Sequence, residues 1–219
     1  MATYVLIHGA GDSAFYWHLL EPELRARGHE AVSVDLPCED PSAGLGDYAD
    51  AVVAAIGERT EPILVAHSFA GFTAPLVCAR VPVPLLVLVA GMVPAPGERG
   101  GDWTANTAYP GALAESEAEI FYHDVPDRLA REALAHSRRQ ADAPGSEPWP
   151  LDAWPEVPTR YLLCRQDRMF PADWMREVVR ARLGIEPDEI ESGHCPALSC
   201  PGELAARLDA YRLEIAEGA

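Results

Sequence analysis

A chain of 219 residues, 48% of them hydrophobic, has room for one α/β domain with a modest insertion, and no apolar run approaches the roughly 20 residues of a membrane span. Thirty-four acidic residues against 17 basic ones give a net charge of −17, which repels phosphate backbones and anionic headgroups, so no nucleic acid and no membrane is expected as a partner. All 17 basic residues are arginine, and without lysine there is no Schiff base, no pyridoxal-phosphate anchor and no phosphate-loop lysine.

The N-terminal run Thr3 to Ile7 has strand length and no basic residues before it, so it reads as a buried strand rather than a signal peptide. His8-Gly9-Ala10-Gly11-Asp12-Ser13 follows as a glycine-permitted turn. Tyr16 to Arg27 is expected as an amphipathic helix with Trp17, Leu20 and Leu24 on one face and Gly28 as its stop. Glu30 to Asp35 reads as a second strand, and after a Gly/Pro/Ser-rich loop a helix carries Tyr48, Ala51, Val52, Ala55 and Ile56. Ile63 to Ala66 is an aliphatic run suited to a fully buried parallel strand. Beyond Ser68 the spacing turns helical to about Arg80, and Pro84 to Ala90 is a further central strand. Alternating strands and helices of this kind predict right-handed crossovers and a doubly wound, mostly parallel sheet.

Residues 92–155 are rich in Ala, Gly, Pro, Trp and acidic residues, with helices expected near Glu115–Tyr122 and Pro126–Arg139 and no strand pattern. This segment is read as a small helical cap inserted into a core made of residues 1–91 and 156–219. The core resumes with a strand at Thr159 to Cys164, a helix from Pro171 to Leu183, a weaker strand near Asp188–Glu191, and a last helix from Pro201 to Ile215.

Ser68 stands on a sharp strand-to-helix turn with small residues on both sides, Ala66-His67-Ser68-Phe69-Ala70-Gly71. That is the steric logic of a nucleophile elbow, with alanine in place of glycine at both flanking positions; a plain helix-capping serine is the alternative. Reactive groups of open α/β sheets gather at the carboxyl ends of strands, where Ser68, Asp167 and His194 follow in the order of a serine hydrolase triad. His194 would act as general base, because imidazole titrates near neutrality, and Asp167 would hold its tautomer. Asp12, Asp35, Asp102 and Asp124 are rival acids, Asp102 the nearest of them. The backbone N–H groups of Ala10 and Phe69 are the expected oxyanion donors, each worth about 3 kcal/mol of transition-state stabilisation.

Of the remaining histidines, His8 reads as structural, His67 as turned away from the path of the serine, His18 and His29 as surface or packing residues. His123, beside Phe121 and Tyr122, could reach a ligand. Met92, Trp103, Phe121, Trp149, Trp154, Met169 and Phe170 are candidates for an apolar pocket, with at least half of them expected in the core of the insertion. Cys38, Cys78, Cys164, Cys195 and Cys200 are odd in number and form no C-x-x-C pair, which points to reduced thiols in a cytoplasmic protein and away from a zinc site or a disulfide framework. No metal and no cofactor is called for.

Along nearly its whole length the chain resembles the α/β-hydrolase superfamily, and within it the small-cap branch of methyl-ester esterases, salicylic-acid-binding esterases and hydroxynitrile lyases. The resemblance rests on Val5-Leu6-Ile7-His8-Gly9-Ala10 with Trp17 downstream, Gly28-His29, Ala66 to Gly71, Asp167-Arg168-Met169-Phe170-Pro171, and Gly193-His194 with Leu198-Ser199. It implies the triad Ser68, Asp167 and His194 and oxyanion donors at Ala10 and Phe69. The lyases of this branch carry a lysine directly after the triad histidine and a threonine at the position of Gly9, whereas this chain has Cys195 and Gly9 there. Both departures favour hydrolysis of a small carboxylic ester through an acyl-enzyme. A biosynthetic thioesterase, lyase or cyclase and a non-catalytic ligand-binding protein are the alternatives, and a homodimer is left open.

Overall fold

The structure is a computed structural model that describes residues 1–218, with side chains described through residue 216. Six parallel strands form one sheet in the order β2-β1-β3-β4-β5-β6. They are β1 (Thr3–Ile7), β2 (Glu30–Val34), β3 (Ile63–His67), β4 (Leu85–Val89), β5 (Thr159–Cys164) and β6 (Asp188–Ile190). The expected doubly wound architecture is borne out. The chain runs outward from β1 to β2 and then back past β1 to β3, so the direction of winding reverses between β1 and β3. Such a switch opens a crevice at the carboxyl ends of the strands.

β3 and β4 are buried along their whole length, because helices cover both faces of the sheet. Alternation along each strand divides the core. Val5, Ile7, Leu64, Ala66, Leu86 and Leu88 pack on one face beneath α2 (Leu45–Ile56), α3 (Ala74–Cys78) and α8 (Ala172–Leu183). Tyr4, Leu6, Ile63, Val65, Leu85 and Val87 pack on the other beneath α1 (Leu20–Ala26) and α10 (Pro201–Gly218).

Two helices are shorter than the apolar spacing predicts, and proline explains both. The stretch expected as one helix from Tyr16 divides into a 3-10 turn at Ala14–Trp17 and then α1. Pro22 lacks the N–H that would bond the carbonyl of residue 18, yet it is tolerated in a first helical turn, so the helix starts just before it. After Ser68 there is a 3-10 helix over Ser68–Phe72, and only then α3, with Pro75 in its first turn.

Between β4 and β5 the chain adds no strand to the sheet. It forms α4 (Trp103–Asn106), α5 (Glu117–Phe121), α6 (Asp127–His136) and α7 (Ala143–Ser146), closed at its base by an antiparallel bridge between Arg99 and Pro148. Its tryptophans tie it down: Trp149 Nε1 donates to the Phe72 carbonyl at 3.0 Å, and the Trp103 ring packs on Phe170 and Trp174 while its Nε1 donates to the Val93 carbonyl of the same segment at 3.0 Å. The buried Glu98 carboxylate pairs with Arg182 of α8. Among the described residues, no helix is long and apolar enough to cross a membrane.

Candidate active site

Ser68 follows the last residue of β3 and has φ of 52°, in the left-handed region that a side chain rarely adopts. Its surroundings leave little alternative. A Cβ at Gly9 would lie 3.0 Å from the Ser68 Cβ, and a Cβ at Gly71 would run into the Met92 carbonyl oxygen, 2.9 Å from its carbonyl carbon. The Ser68 carbonyl meanwhile accepts the Met92 N–H at 2.9 Å, which fastens the turn to the end of β4. A strained residue persists only where its neighbours over-determine it, and sites of reaction are where such strain concentrates.

Asp167 lies in the loop after β5 and His194 in the loop after β6, and both are almost fully buried. His194 Nδ1 donates to Asp167 Oδ2 at 2.8 Å. The other carboxylate oxygen accepts the N–H groups of Met169 at 2.8 Å and Phe170 at 2.9 Å, so Asp167 can swing neither away from nor past the imidazole. With Nδ1–H committed to the carboxylate, Nε2 is left with a free lone pair that can accept a proton. The rings of Phe170 and Phe121 stand edge-on to the imidazole at centroid distances of 5.2 and 5.3 Å and keep water from its sides.

The histidine of the elbow turns behind the site. His67 Nε2 donates to the His194 carbonyl at 2.9 Å, and its ring stacks on Tyr16. Burial holds its pKa well below the usual imidazole value, so His67 stays neutral beside His194. His8 has a similar structural task. Nδ1 donates to the Gly9 carbonyl at 2.8 Å, and Nε2 accepts the Leu36 N–H at 3.1 Å. Burial lowers its pKa to about 4.

A cavity of about 210 Å³ brings together Ser68, His194, Ala10, Phe69, Met92, Phe121, Met169 and Phe170. Phe69 is the second residue of the 3-10 turn, so its N–H has no acceptor within the helix and can face a ligand. A helix dipole adds less here than a continuous helix to Arg80 would have done, because the turn is short. A more open groove of about 390 Å³ is also lined by Ala10 and Phe69, together with Gly100, Gln140 and Ser146. A larger hollow, about 580 Å³, is flanked by Thr3, Ile63 and Leu85 at the amino ends of β1, β3 and β4. It holds none of these groups, and chemistry in open sheets belongs to the opposite edge.

Three residues expected in the pocket lie elsewhere, and this corrects the reading of the sequence. Trp103 and Trp149 are buried in the core, where hydrophobic burial and their indole N–H bonds place them. His123 Nε2 donates to the Gln166 carbonyl at 2.9 Å and does not line the cavity. Trp154, half-buried, stacks on Trp149 at the edge of the core. Among the rival acids, Asp102 sits in a 3-10 turn of the inserted segment, Asp35 accepts the Ala14 N–H at 2.8 Å, and neither meets an imidazole there.

Sequence reasoning missed Asp12, Glu117, Tyr122 and Ser137 in the cavity wall. Glu117 was within reach of it, since it lies four residues before Phe121 on the same face of α5. Burial lifts the Asp12 carboxyl to about 6. Cys195 also borders the cavity, and burial raises its thiol pKa well above the ordinary value, which disfavours the thiolate. All five cysteines are free.

The sequence family described as "Alpha/beta hydrolase family" matches residues 4–207. Polyneuridine aldehyde esterase of Rauvolfia serpentina is 30% identical over 243 aligned residues, covering 92% of each chain. Norfluorocurarine synthase 1 of a Strychnos species is 32% identical over 103 residues, 42% of this chain, which spans only 39% of that relative's length. Among solved structures, a pyrethroid hydrolase of Sphingobium faniae JZ-2 superposes with a TM-score of 0.79 at 20% identity, covering 96% of both chains.

Proposed function

The chain belongs to the alpha/beta hydrolase family, and from that premise we propose that it hydrolyses a small carboxylic ester through an acyl-enzyme on Ser68. The observation that carries the reading is a positive-φ serine sharing one cavity with His194, whose Nδ1 is bonded to the buried Asp167. His194 Nε2 takes the Ser68 hydroxyl proton as Oγ attacks the ester carbonyl, and Asp167 steadies the imidazolium that forms. The Ala10 and Phe69 N–H groups receive the developing oxyanion. The protonated His194 then gives its proton to the leaving alcohol, and in the second half-reaction it activates the water that frees the acid.

The size of the cavity supports a small substrate, because 210 Å³ is less than the roughly 300–1,000 Å³ of pockets for drug-sized ligands. Ala10 and Phe69 border both the cavity and the open groove, which offers the acyl and alcohol halves separate places next to the oxyanion donors. Esterase-named relatives support the same class of reaction.

The test is a series of p-nitrophenyl esters of increasing acyl length, run with wild type and Ser68→Ala, beside labelling by a fluorophosphonate probe. We expect labelling at Ser68, a preference for short chains, and a loss of about 10⁴-fold or more in kcat for Ser68→Ala. An unlabelled Ser68, or a variant that keeps wild-type turnover, would overturn the reading. The likeness to a protein named a synthase favours a second reading, a biosynthetic lyase or cyclase using the same groups for proton transfer. It predicts poor turnover across the whole ester series.

A further inference from the structure

His123 and Asp124 are neighbours in the turn between α5 and α6, and their side chains reach in two directions. His123 Nε2 donates to the carbonyl of Gln166 at 2.9 Å, the residue before Asp167. Asp124 Oδ2 accepts the N–H of Gly193 at 2.6 Å, the residue before His194, and the Ser192 hydroxyl at 3.3 Å. One dipeptide of the inserted segment thus holds both loops, each at the residue directly preceding the acid or the base.

The fit leaves no room for another arrangement. A Cβ at Gly193 would lie 2.5 Å from Asp124 Oδ1 and 2.8 Å from His123 Nε2, so this position must be glycine for the loop to close on the pair. The two loops also meet directly, with the Gln166 N–H donating to the Ser192 carbonyl at 2.9 Å. The Gly193 N–H is buried and needs an acceptor, and a carboxylate is a stronger one than a neutral group.

We propose that His123 and Asp124 are positioning residues that clamp the acid and base loops together and so aim His194 at Ser68. The proposal rests on the hydrolase reading above. Its physical content is that the 2.8 Å contact between His194 and Asp167 spans two separate loops. Its direction therefore depends on how those loops are set relative to each other. Removing the Asp124 carboxylate frees the Gly193 amide and lets the base loop drift, while the groups that touch the substrate stay chemically intact. The second oxygen, Oδ1, is buried without a hydrogen-bond partner among the described residues. Asparagine can therefore replace aspartate and still accept from Gly193.

The experiment compares Asp124→Ala, Asp124→Asn and Ser68→Ala on p-nitrophenyl acetate, with thermal melting as the control for folding. The downfield proton resonance of the His194 Nδ1–H serves as a readout independent of turnover. We expect Asp124→Ala to lose about 100-fold in kcat with KM little changed, and to shift or broaden the downfield resonance. Asp124→Asn should restore both. A wild-type kcat and an unmoved resonance in Asp124→Ala would overturn the proposal, as would equal damage in the alanine and asparagine variants. Should Asp124→Ala fail to fold, Gly193→Ala crowds the clamp with the carboxylate in place. It should lower kcat and move the resonance likewise, and no change in either would overturn the proposal. If wild type and Ser68→Ala are equally slow on the ester, the hydrolase reading falls by itself, and the resonance alone decides the positioning role.

Discussion

Around Ser68 the backbone is held mainly by close approach, with one hydrogen bond from the Met92 N–H: a side chain at Gly9 would crowd the Ser68 Cβ, and Gly71 passes so close to Met92 that no side chain fits between them. Around Asp167 and His194 it is held by hydrogen bonds, from Met169 and Phe170 to the acid and from the inserted segment to the residues beside both. Contact is unforgiving but local to the sheet, whereas hydrogen bonds from another segment transmit any movement of that segment. The Ser68 turn should therefore survive disturbances of the inserted segment, while the Asp167 and His194 loops should not.

The strongest way to break that contrast is Gly71→Ala. The new methyl group meets a backbone carbonyl that cannot turn aside, and a loss of about 3 kcal/mol or more is expected in denaturant unfolding. Gly46→Ala is the control, because nothing lies within 4 Å of a Cβ there, and inside α2 it should be neutral or stabilising by about 0.5 kcal/mol. Equal effects at both positions would dismiss the steric account of the elbow.

Next comes Glu98→Ala. The Glu98 carboxylate accepts from Ala95 N–H at 3.0 Å, Asn106 Nδ2 at 2.9 Å and Arg182 Nη2 at 2.9 Å, joining the inserted segment to α8. Its loss leaves the Arg182 guanidinium mostly buried and unpaired, a cost of about 3 kcal/mol. Burial opposes ionisation of Glu98, but the Arg182 and Ala95 bonds outweigh it and hold the pKa below its usual 4.5. A lowered carboxyl pKa stabilises the fold above about 4.5 and ceases to do so as pH falls through the lowered value. Variant and wild type should therefore converge in acid. Hydrogen exchange should quicken over residues 95–106 and stay slow in β3; a uniform quickening would blur the division between sheet and cap.

The smallest expected effect is at Asp12, on the wall where the β1 turn meets the cap. Burial raises its carboxyl to about 6, so the charged form is disfavoured in the folded protein. The penalty is absent below about 3.8, grows as pH rises towards 6, and is full above that. Asp12→Asn keeps an acceptor for the Ser13 N–H, and should stabilise by about 1 kcal/mol at pH 8 and by nothing at pH 3.5. A gain independent of pH, read as the difference in Tm, would reject burial of charge as the cause.

The architecture was legible because its signals are local. Ile63 to Ala66 and Pro84 to Ala90 are continuous aliphatic runs, and a run that never alternates must be covered on both faces. The two helices that came out shorter were legible too, since Pro22 and Pro75 mark their starts and the apolar spacing merely outvoted them. The cap was not. Tryptophan is as suited to a pocket as to a core, and only partners far along the chain decide that these two are buried: the Phe170 and Trp174 rings for Trp103, the Phe72 carbonyl for Trp149. His123 looked like a ligand-facing side chain from its aromatic neighbours, and the Gln166 carbonyl claims it from 43 residues away.

By itself the sequence determined the parallel sheet, the order of its strands along the chain and the placing of Ser68, Asp167 and His194 at strand ends, since periodicity and glycine are properties of neighbouring residues. Only the tertiary structure decided that Asp167 reaches His194, that the cavity is small, and that His123 and Asp124 bind the two loops. Those are distances between segments far apart in the chain, and they are set by how layers pack, which no local pattern encodes.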